Sequence, residues 1–117
     1  MQYQFEKLKV WQKSMQLVKE VYQVTKDFPK KELYGLTGQM RRAAVSIPSN
    51  IAEGAGRYHR KEYLQFLYTS RGSTYELMSL IQVSRELGYL NGELSQELLA
   101  LAGEATALLN GLIKSLE

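Results

Sequence analysis

The sequence contains no cysteine, one histidine and two prolines among 117 residues. The absence of cysteine excludes a disulfide framework, a zinc ribbon and a thiol nucleophile. The single histidine, His59, excludes metal sites built from several imidazoles. No glutamate is followed three residues later by histidine, so the di-iron site of many helical bundles is excluded as well. We therefore expect no metal site, no cofactor and no catalytic residues.

Long hydrophobic runs are also absent. The N-terminal segment MQYQFEKLKVWQKS lacks the apolar core of a signal peptide, and no run approaches the ~18 residues of a membrane span. We expect a cytoplasmic protein with no membrane association. Its length, with 44% hydrophobic and 23% charged residues, predicts one globular domain over residues 1–117.

What the sequence does contain is helical periodicity of its apolar residues, with no sustained two-residue alternation. Pro29 is expected to end the first helix, Gly88 to end the third, and Asn91 to cap the fourth. The predicted helices cover residues 6–27, 37–55, 59–87 and 92 onwards. Because the connections are short, neighbouring helices should run antiparallel. The prediction is an all-α, antiparallel up-down-up-down four-helix bundle.

The second predicted helix carries unusual signals. Thr37 is positioned to cap its N-terminus, and Gly54 and Gly56 are expected to mark its end. Pro48 lies inside it and removes one backbone hydrogen bond, but packing of the flanking isoleucines should keep the segment helical. In the third helix, the small residues around Gly72 form a patch that another helix could approach closely.

Charge is distributed unevenly along the chain. The net charge is only +3, but residues 1–75 hold 13 Lys and Arg against 6 Asp and Glu, whereas residues 76–117 hold 2 against 6. Such asymmetry indicates either that one end or face meets an anion, or simply that the surface is solvated.

One face of the second predicted helix is polar throughout. Serine, asparagine and proline are poor helix formers, so something other than helix propensity selects them here. This face is either a buried seam, with Glu53 paired to an arginine and Asn50 bonded to backbone freed by Pro48, or a surface for another subunit or a nucleic acid. Its residues recur at helical spacing: Arg42, Ser46, Ser49, Asn50, Glu53 and Arg57.

Basic residues and tyrosines lie close to this face in sequence. Arginine matches phosphate oxygens, and an aromatic ring can stack on an unpaired base. Tyr63 also belongs to an apolar stripe, where packing is the commoner role. The predicted RNA-contacting residues are Arg41, Arg42, Arg57, Tyr58, Arg60 and Lys61.

The segment GLTGQMRRAAVSIPSNIAEGAGR at 35–57 resembles the signature of the 23S rRNA intervening-sequence protein family, also called the four-helix bundle protein family. The resemblance covers residues 5–90, and the fourth helix matches in pattern only. The matching signature residues are Arg41, Arg42, Pro48, Asn50, Ile51, Glu53, Gly54 and Arg57.

The resemblance implies a bacterial homopentamer of four-helix bundles without enzymatic activity. Related proteins include the accessory variability protein of diversity-generating retroelements, a basic pentamer that binds RNA and reverse transcriptase. The first hypothesis is therefore a non-enzymatic, oligomeric protein that binds structured RNA. The alternative is a scaffold whose basic face docks an acidic protein partner. A third hypothesis, an enzyme, would need Glu53 as a general base in a buried seam.

Overall fold

The computed structural model describes residues 3–117, which form four α-helices: α1 (Lys9–Thr25), α2 (Leu36–Ala55), α3 (Arg60–Glu86) and α4 (Gly92–Leu116). Two short 3-10 turns, Gln4–Lys7 and Lys30–Glu32, lie in the segments before α1 and α2. Each helix contacts its two neighbours, and the bundle measures 43 × 24 × 23 Å. The predicted four-helix architecture is confirmed. Met1 and Gln2, which the predicted domain of 1–117 includes, lie outside the described residues.

The predicted first helix, residues 6–27, is longer at both ends than the observed α1. Leu8 is extended and separates a 3-10 turn from α1, and the helix ends at Thr25, before Pro29 is reached. The Thr25 hydroxyl donates to the carbonyls of Val21 and Tyr22. Lys26 keeps helical dihedrals, and the Phe28 N–H bonds to the Thr25 carbonyl at 3.1 Å, so the chain leaves α1 through a tighter turn just before Pro29.

The predicted cap of α2 is wrong. The helix starts at Leu36, and Thr37 is buried inside its first turn. The free N–H of Leu36 instead donates to Glu32 Oε1 at 3.2 Å. A carboxylate at this point also interacts favourably with the positive end of the helix dipole. The cap therefore comes from the preceding 3-10 turn rather than from the helix itself.

The core is one cluster of buried apolar side chains drawn from all four helices. Met40, Ala44, Ile47 and Ile51 of α2 are fully buried. The helix continues through Pro48 without a break, because the buried isoleucines on either side of the proline hold it against the other helices.

The glycine prediction for α2 is wrong, whereas the small-residue patch predicted around Gly72 does meet another helix, because its serine hydroxyls reach α2. Gly54 does not end α2, because it lies within the helix and is buried. A Cβ at Gly54 would stand 2.8 Å from Tyr63 Cδ1 and 2.9 Å from Phe66 Cβ, so this glycine permits the close approach of α3. At Gly72, by contrast, a Cβ would meet no atom within 4 Å.

The α3–α4 connection follows the prediction. Gly88 has a φ of +81°, the left-handed conformation in which glycine avoids a steric penalty. The Asn91 side chain accepts a hydrogen bond of 2.8 Å from the N–H of Leu94 and so caps α4. Across residues 3–117, no helix has the length and apolar character needed to cross a membrane.

Candidate nucleic-acid interface

Four of the predicted RNA-contacting residues meet at the turn between α2 and α3. Arg57, Tyr58, Arg60 and Lys61 are all exposed there, and we call them the turn cluster. The Tyr58 side chain is 95% exposed, and its ring meets the His59 ring edge-on at 5.0 Å between centroids. The turn is short because Gly56 closes α2, its N–H bonding the carbonyls of Ala52 and Glu53. Two helix ends therefore hold these side chains together.

Arg57 is positioned by the packing beneath it. Its guanidinium carbon lies 4.8 Å from the centroid of the Phe66 ring, a cation–π contact. Phe66 in turn packs where Gly54 leaves room. Tyr63 is half-buried beside the same glycine, and burial raises the pKa of its hydroxyl. Tyr63 thus belongs to the packing, whereas Tyr58 faces solvent.

Arg41 and Arg42 lie far from the turn cluster. Fifteen residues of α2 separate Arg42 from Arg57, and at 1.5 Å per residue this is about 22 Å. Sequence proximity predicted a single basic cluster, but the structure divides it between the two ends of α2. Arg42 is exposed, whereas Arg41 is half-buried against α1.

The polar face of α2 divides along its length into a bonded part and an exposed part. The hydroxyls of Ser46 and Ser73 share a hydrogen bond of 2.8 Å between α2 and α3. Asn50 Nδ2 donates to the Ser46 carbonyl at 2.8 Å and to the Ser46 hydroxyl at 2.9 Å. These three residues, Ser46, Asn50 and Ser73, form a half-buried polar seam.

Two details of the predicted seam are wrong. Pro48 frees the carbonyl of Ala44, one helical turn earlier, but Asn50 bonds to Ser46 instead. Ser49 and Glu53 are exposed, and no arginine within residues 3–117 forms an ion pair with Glu53. Glu53 therefore lacks the buried setting that the enzyme hypothesis required.

Sequence reasoning missed the surroundings of Arg41. Its Nε donates to Thr25 Oγ1 at 3.0 Å, and its guanidinium carbon lies 4.6 Å from the centroid of the Tyr22 ring. Lys26 and Lys30 line the same small pocket as Arg41. The sequence signal for these surroundings was the pair of lysines that follows α1. Their proximity to Arg41, however, depends on how α1 and α2 fold back on each other. Among residues 3–117 no group of His, Cys, Asp and Glu could hold a metal ion.

Comparisons with known proteins support the fold and the family. A protein of unknown function from the S23 ribosomal protein family of Bacteroides thetaiotaomicron has a crystal structure with a TM-score of 0.83 to this chain. The similarity covers 90% of this chain and 98% of that one at 20% identity, which is evidence for the fold alone. No curated protein matches. The family model for the 23S rRNA-intervening sequence protein matches residues 6–111, so the chain belongs to that family.

Proposed function

We propose that this chain is a non-enzymatic, oligomeric protein that binds structured RNA through the phosphate backbone. The observation that carries the proposal is the turn cluster. Three cations and a fully exposed tyrosine occupy five consecutive positions between two helix ends. None of these cations forms an ion pair within residues 3–117. Such an arrangement matches phosphates with its charges and offers one ring for stacking on an unpaired base.

Nearby acids do not cancel the positive charge. Glu53 and Glu62 flank the turn cluster in sequence, and both are exposed. Two carboxylates against three cations leave a net positive tip, whose field extends about 10 Å into solution at 0.1 M salt before it is largely screened. Because no base-reading module is recognisable among residues 3–117, we expect backbone contacts to dominate affinity.

Oligomer formation is part of the proposal. Apolar side chains are exposed on three adjacent helices: Tyr22 on α1, Val45 on α2, and Tyr75 and Val83 on α3. Burial between subunits would remove this surface from water. In the homopentamer that the family resemblance implies, five turn clusters would bind the same RNA. The overall affinity would then exceed that of any single contact. The proposed site of action is the cytoplasm, where ribosomal RNA is found.

The test is binding to a structured ribosomal RNA fragment over a series of salt concentrations, with matched double-stranded DNA as the control. We expect tight RNA binding with a steep negative slope of log affinity against log salt, and weaker DNA binding. No RNA binding at ~50 mM salt, where electrostatic contacts are strong, contradicts the proposal.

A pair of double variants locates the contact. Arg57→Ala with Arg60→Ala should reduce the salt slope by about 2, because each lost phosphate contact reduces it by about 1. The matched control is Lys9→Ala with Lys19→Ala, which removes the same charge from exposed positions on α1. Equal losses in both would mean that binding follows net charge rather than the turn cluster. Light scattering after size exclusion checks the oligomer; its loss in the arginine variant would assign those residues to the subunit interface.

The alternative, a scaffold for an acidic protein partner, gives a different result at purification. The absorbance ratio at 260 and 280 nm of fresh protein is raised by co-purified nucleic acid. A clean protein spectrum together with no RNA binding would favour the scaffold.

A further inference from the structure

A small pocket lies at the end of the molecule opposite the turn cluster, where α1 passes into α2. Its volume is about 120 Å³, room for roughly four water molecules at ~30 Å³ each. A group of five heavy atoms such as phosphate is of this size. The lining residues are Thr25, Lys26, Phe28, Pro29, Lys30, Leu33, Thr37 and Arg41.

The Arg41 guanidinium is fixed in place before any ligand arrives. Thr25 Oγ1 accepts from its Nε at 3.0 Å, and the guanidinium lies over the Tyr22 ring. Its two terminal nitrogens, Nη1 and Nη2, have no hydrogen-bond or ion-pair partner among residues 3–117. Four N–H donors therefore remain on a side chain whose orientation is already set, which lowers the entropy lost on binding.

The pocket is cationic without a compensating acid. Lys26, Lys30 and Arg41 line it, and no Asp or Glu does. Neither acid of the connector, Asp27 or Glu32, lines the pocket, and the two oxygens of Glu32 accept hydrogen bonds outside it, from the Leu36 N–H and the Tyr89 hydroxyl. The C-terminal end of α1 contributes only about −0.5 of a charge. Three full positive charges exceed it.

Arg41 also lines a wider groove over α2, together with Arg42 and Ser46. An acidic residue, Glu76, also lines that groove. An anion in the groove would meet a like charge, whereas an anion in the pocket meets cations only. The electrostatics thus favour the pocket.

We propose that Lys26, Lys30 and Arg41 form a phosphate-binding site at the α1–α2 end. Arginine's planar fork suits two oxygens of a phosphate, and each lysine supplies a point charge. The phosphate is either an RNA backbone phosphate or a free one. The RNA case rests on the proposed function, and it would place a second phosphate contact at the opposite end of α2 from the turn cluster. Phosphate binding itself does not depend on RNA.

Isothermal titration with inorganic phosphate and with pyrophosphate tests the site. Lys30→Ala should weaken binding about tenfold, the cost of one charge-assisted hydrogen bond. Arg41→Lys keeps the charge but loses the fork and should weaken binding by a similar factor. The matched control is Lys31→Ala. It removes the same charge from the adjacent residue, which is exposed and does not line the pocket. Thermal unfolding of each variant reports whether the fold is retained.

Loss of affinity in the Lys30 and Arg41 variants, with Lys31→Ala like wild type, supports the site. No heat from either anion at 10 mM, or equal loss in the Lys30 and Lys31 variants, overturns it. A third result also overturns it: if Lys26→Ala and Lys30→Ala lower the unfolding temperature without changing anion affinity, the lysines serve only the C-terminus of α1.

A second arm separates the two sources of phosphate. With the ribosomal RNA fragment, Lys30→Ala should lower the salt slope by about 1 relative to Lys31→Ala if the phosphate belongs to RNA. An unchanged slope with weakened inorganic phosphate binding assigns the site to a free phosphate. If wild type binds inorganic phosphate but no RNA, the proposed function fails while the phosphate site stands.

Discussion

Two parts of this bundle use their buried hydroxyl groups differently. Between α2 and α3, hydroxyls cross from one helix to the other: Ser70 Oγ donates to the Ile47 carbonyl at 2.7 Å, and Ser84 Oγ contacts Met40 Sδ at 3.2 Å. In α1 and α4, buried hydroxyls donate back to their own helix, as Ser14 does to the Trp11 carbonyl at 2.8 Å, although that of Thr25 also accepts from Arg41 of α2. The first arrangement can hold two helices in register, whereas the second satisfies a polar group without linking helices.

Apolar burial holds all four helices in the core, and α2 and α3 in addition approach each other closely. Leu17 and Val21 of α1 and Leu109 of α4 are fully buried. Between α2 and α3 the contact is closer, and Gly54 has no room for a Cβ. Removing a buried apolar side chain should therefore destabilise the bundle, and adding a methyl group should destabilise it where α2 and α3 are in close contact.

The largest effect is expected for Leu109→Ala. Removing a fully buried leucine side chain loses its transfer free energy and leaves a cavity, so the free energy of unfolding should fall by about 2–5 kcal/mol. Urea denaturation followed by circular dichroism measures it. An exposed leucine, Leu87, is the control, and Leu87→Ala should change stability by less than about 0.5 kcal/mol. Similar losses in both variants would contradict the role assigned to burial.

The next effect tests the close contact of α2 and α3. Gly54→Ala places a methyl against Tyr63 and Phe66 and forces the helices apart, which costs about 1–3 kcal/mol. Gly103→Ala in α4 adds the same methyl where no atom lies within 4 Å, and it should stabilise by about 0.5–1 kcal/mol through helix propensity. The same denaturation experiment compares the two. Stabilisation by both would show that α2 and α3 separate without cost.

The behaviour of Gly54 shows where sequence reasoning stopped. Apolar periodicity predicted four helices because burial of one face is what holds each helix in place. A glycine near the end of a periodic segment, however, is consistent with two structures: the end of a helix, or the close approach of another helix. Only the position of Phe66 decides between them. The same holds for the cap of α2, because nothing local shows that Glu32 reaches Leu36 rather than solvent.

The candidate site was predictable where its residues are neighbours in sequence. Arg57 to Lys61 lie together because one turn holds them. Arg41 was predicted as part of the same cluster, but about 24 Å along the helix axis separates it from Arg57. Its actual neighbours, Lys26 and Lys30, come from another segment, and only the α1–α2 hairpin brings them close.

A smaller effect is expected when a cross-helix hydroxyl is removed. Ser70 and Ser14 are both fully buried, but only the hydroxyl of Ser70 reaches another helix. Ser70→Ala should cost about 1 kcal/mol, the net contribution of a typical hydrogen bond. Ser14→Ala loses only a bond to its own helix and gains helix propensity, so its effect should be near zero. Equal changes in unfolding free energy would remove the distinction between the two hydroxyl arrangements.

The smallest effect concerns the two connectors at the α1–α2 end, where Tyr89 Oη donates to Glu32 Oε2 at 2.9 Å. The hydrogen bonds from the Leu36 N–H and from Tyr89 hold the pKa of Glu32 below its ordinary value of 4.5. The same bond raises the pKa of the Tyr89 hydroxyl above 10.0. Folding thus favours ionised Glu32 and neutral Tyr89. The stability contributed by Glu32 is present above about pH 4.5 and is lost as pH falls through its folded pKa.

Tyr89 acts with the opposite sign, since its contribution is present below about pH 10 and is lost as pH rises through its raised pKa. Thermal unfolding of wild type and Glu32→Gln from pH 3 to 7 tests the acid side. The glutamine, like the protonated carboxyl, is uncharged and keeps one accepting carbonyl oxygen in place of the two that accept from the Leu36 N–H and Tyr89. Wild type should therefore be the more stable at pH 7, and the gap should close toward pH 3. Tyr89→Phe should narrow the gap at pH 7, because it removes one of the two bonds that favour the ionised carboxyl. A gap that stays constant with pH would mean that Glu32 holds the connector by geometry alone, and that its charge adds nothing to the α2 cap.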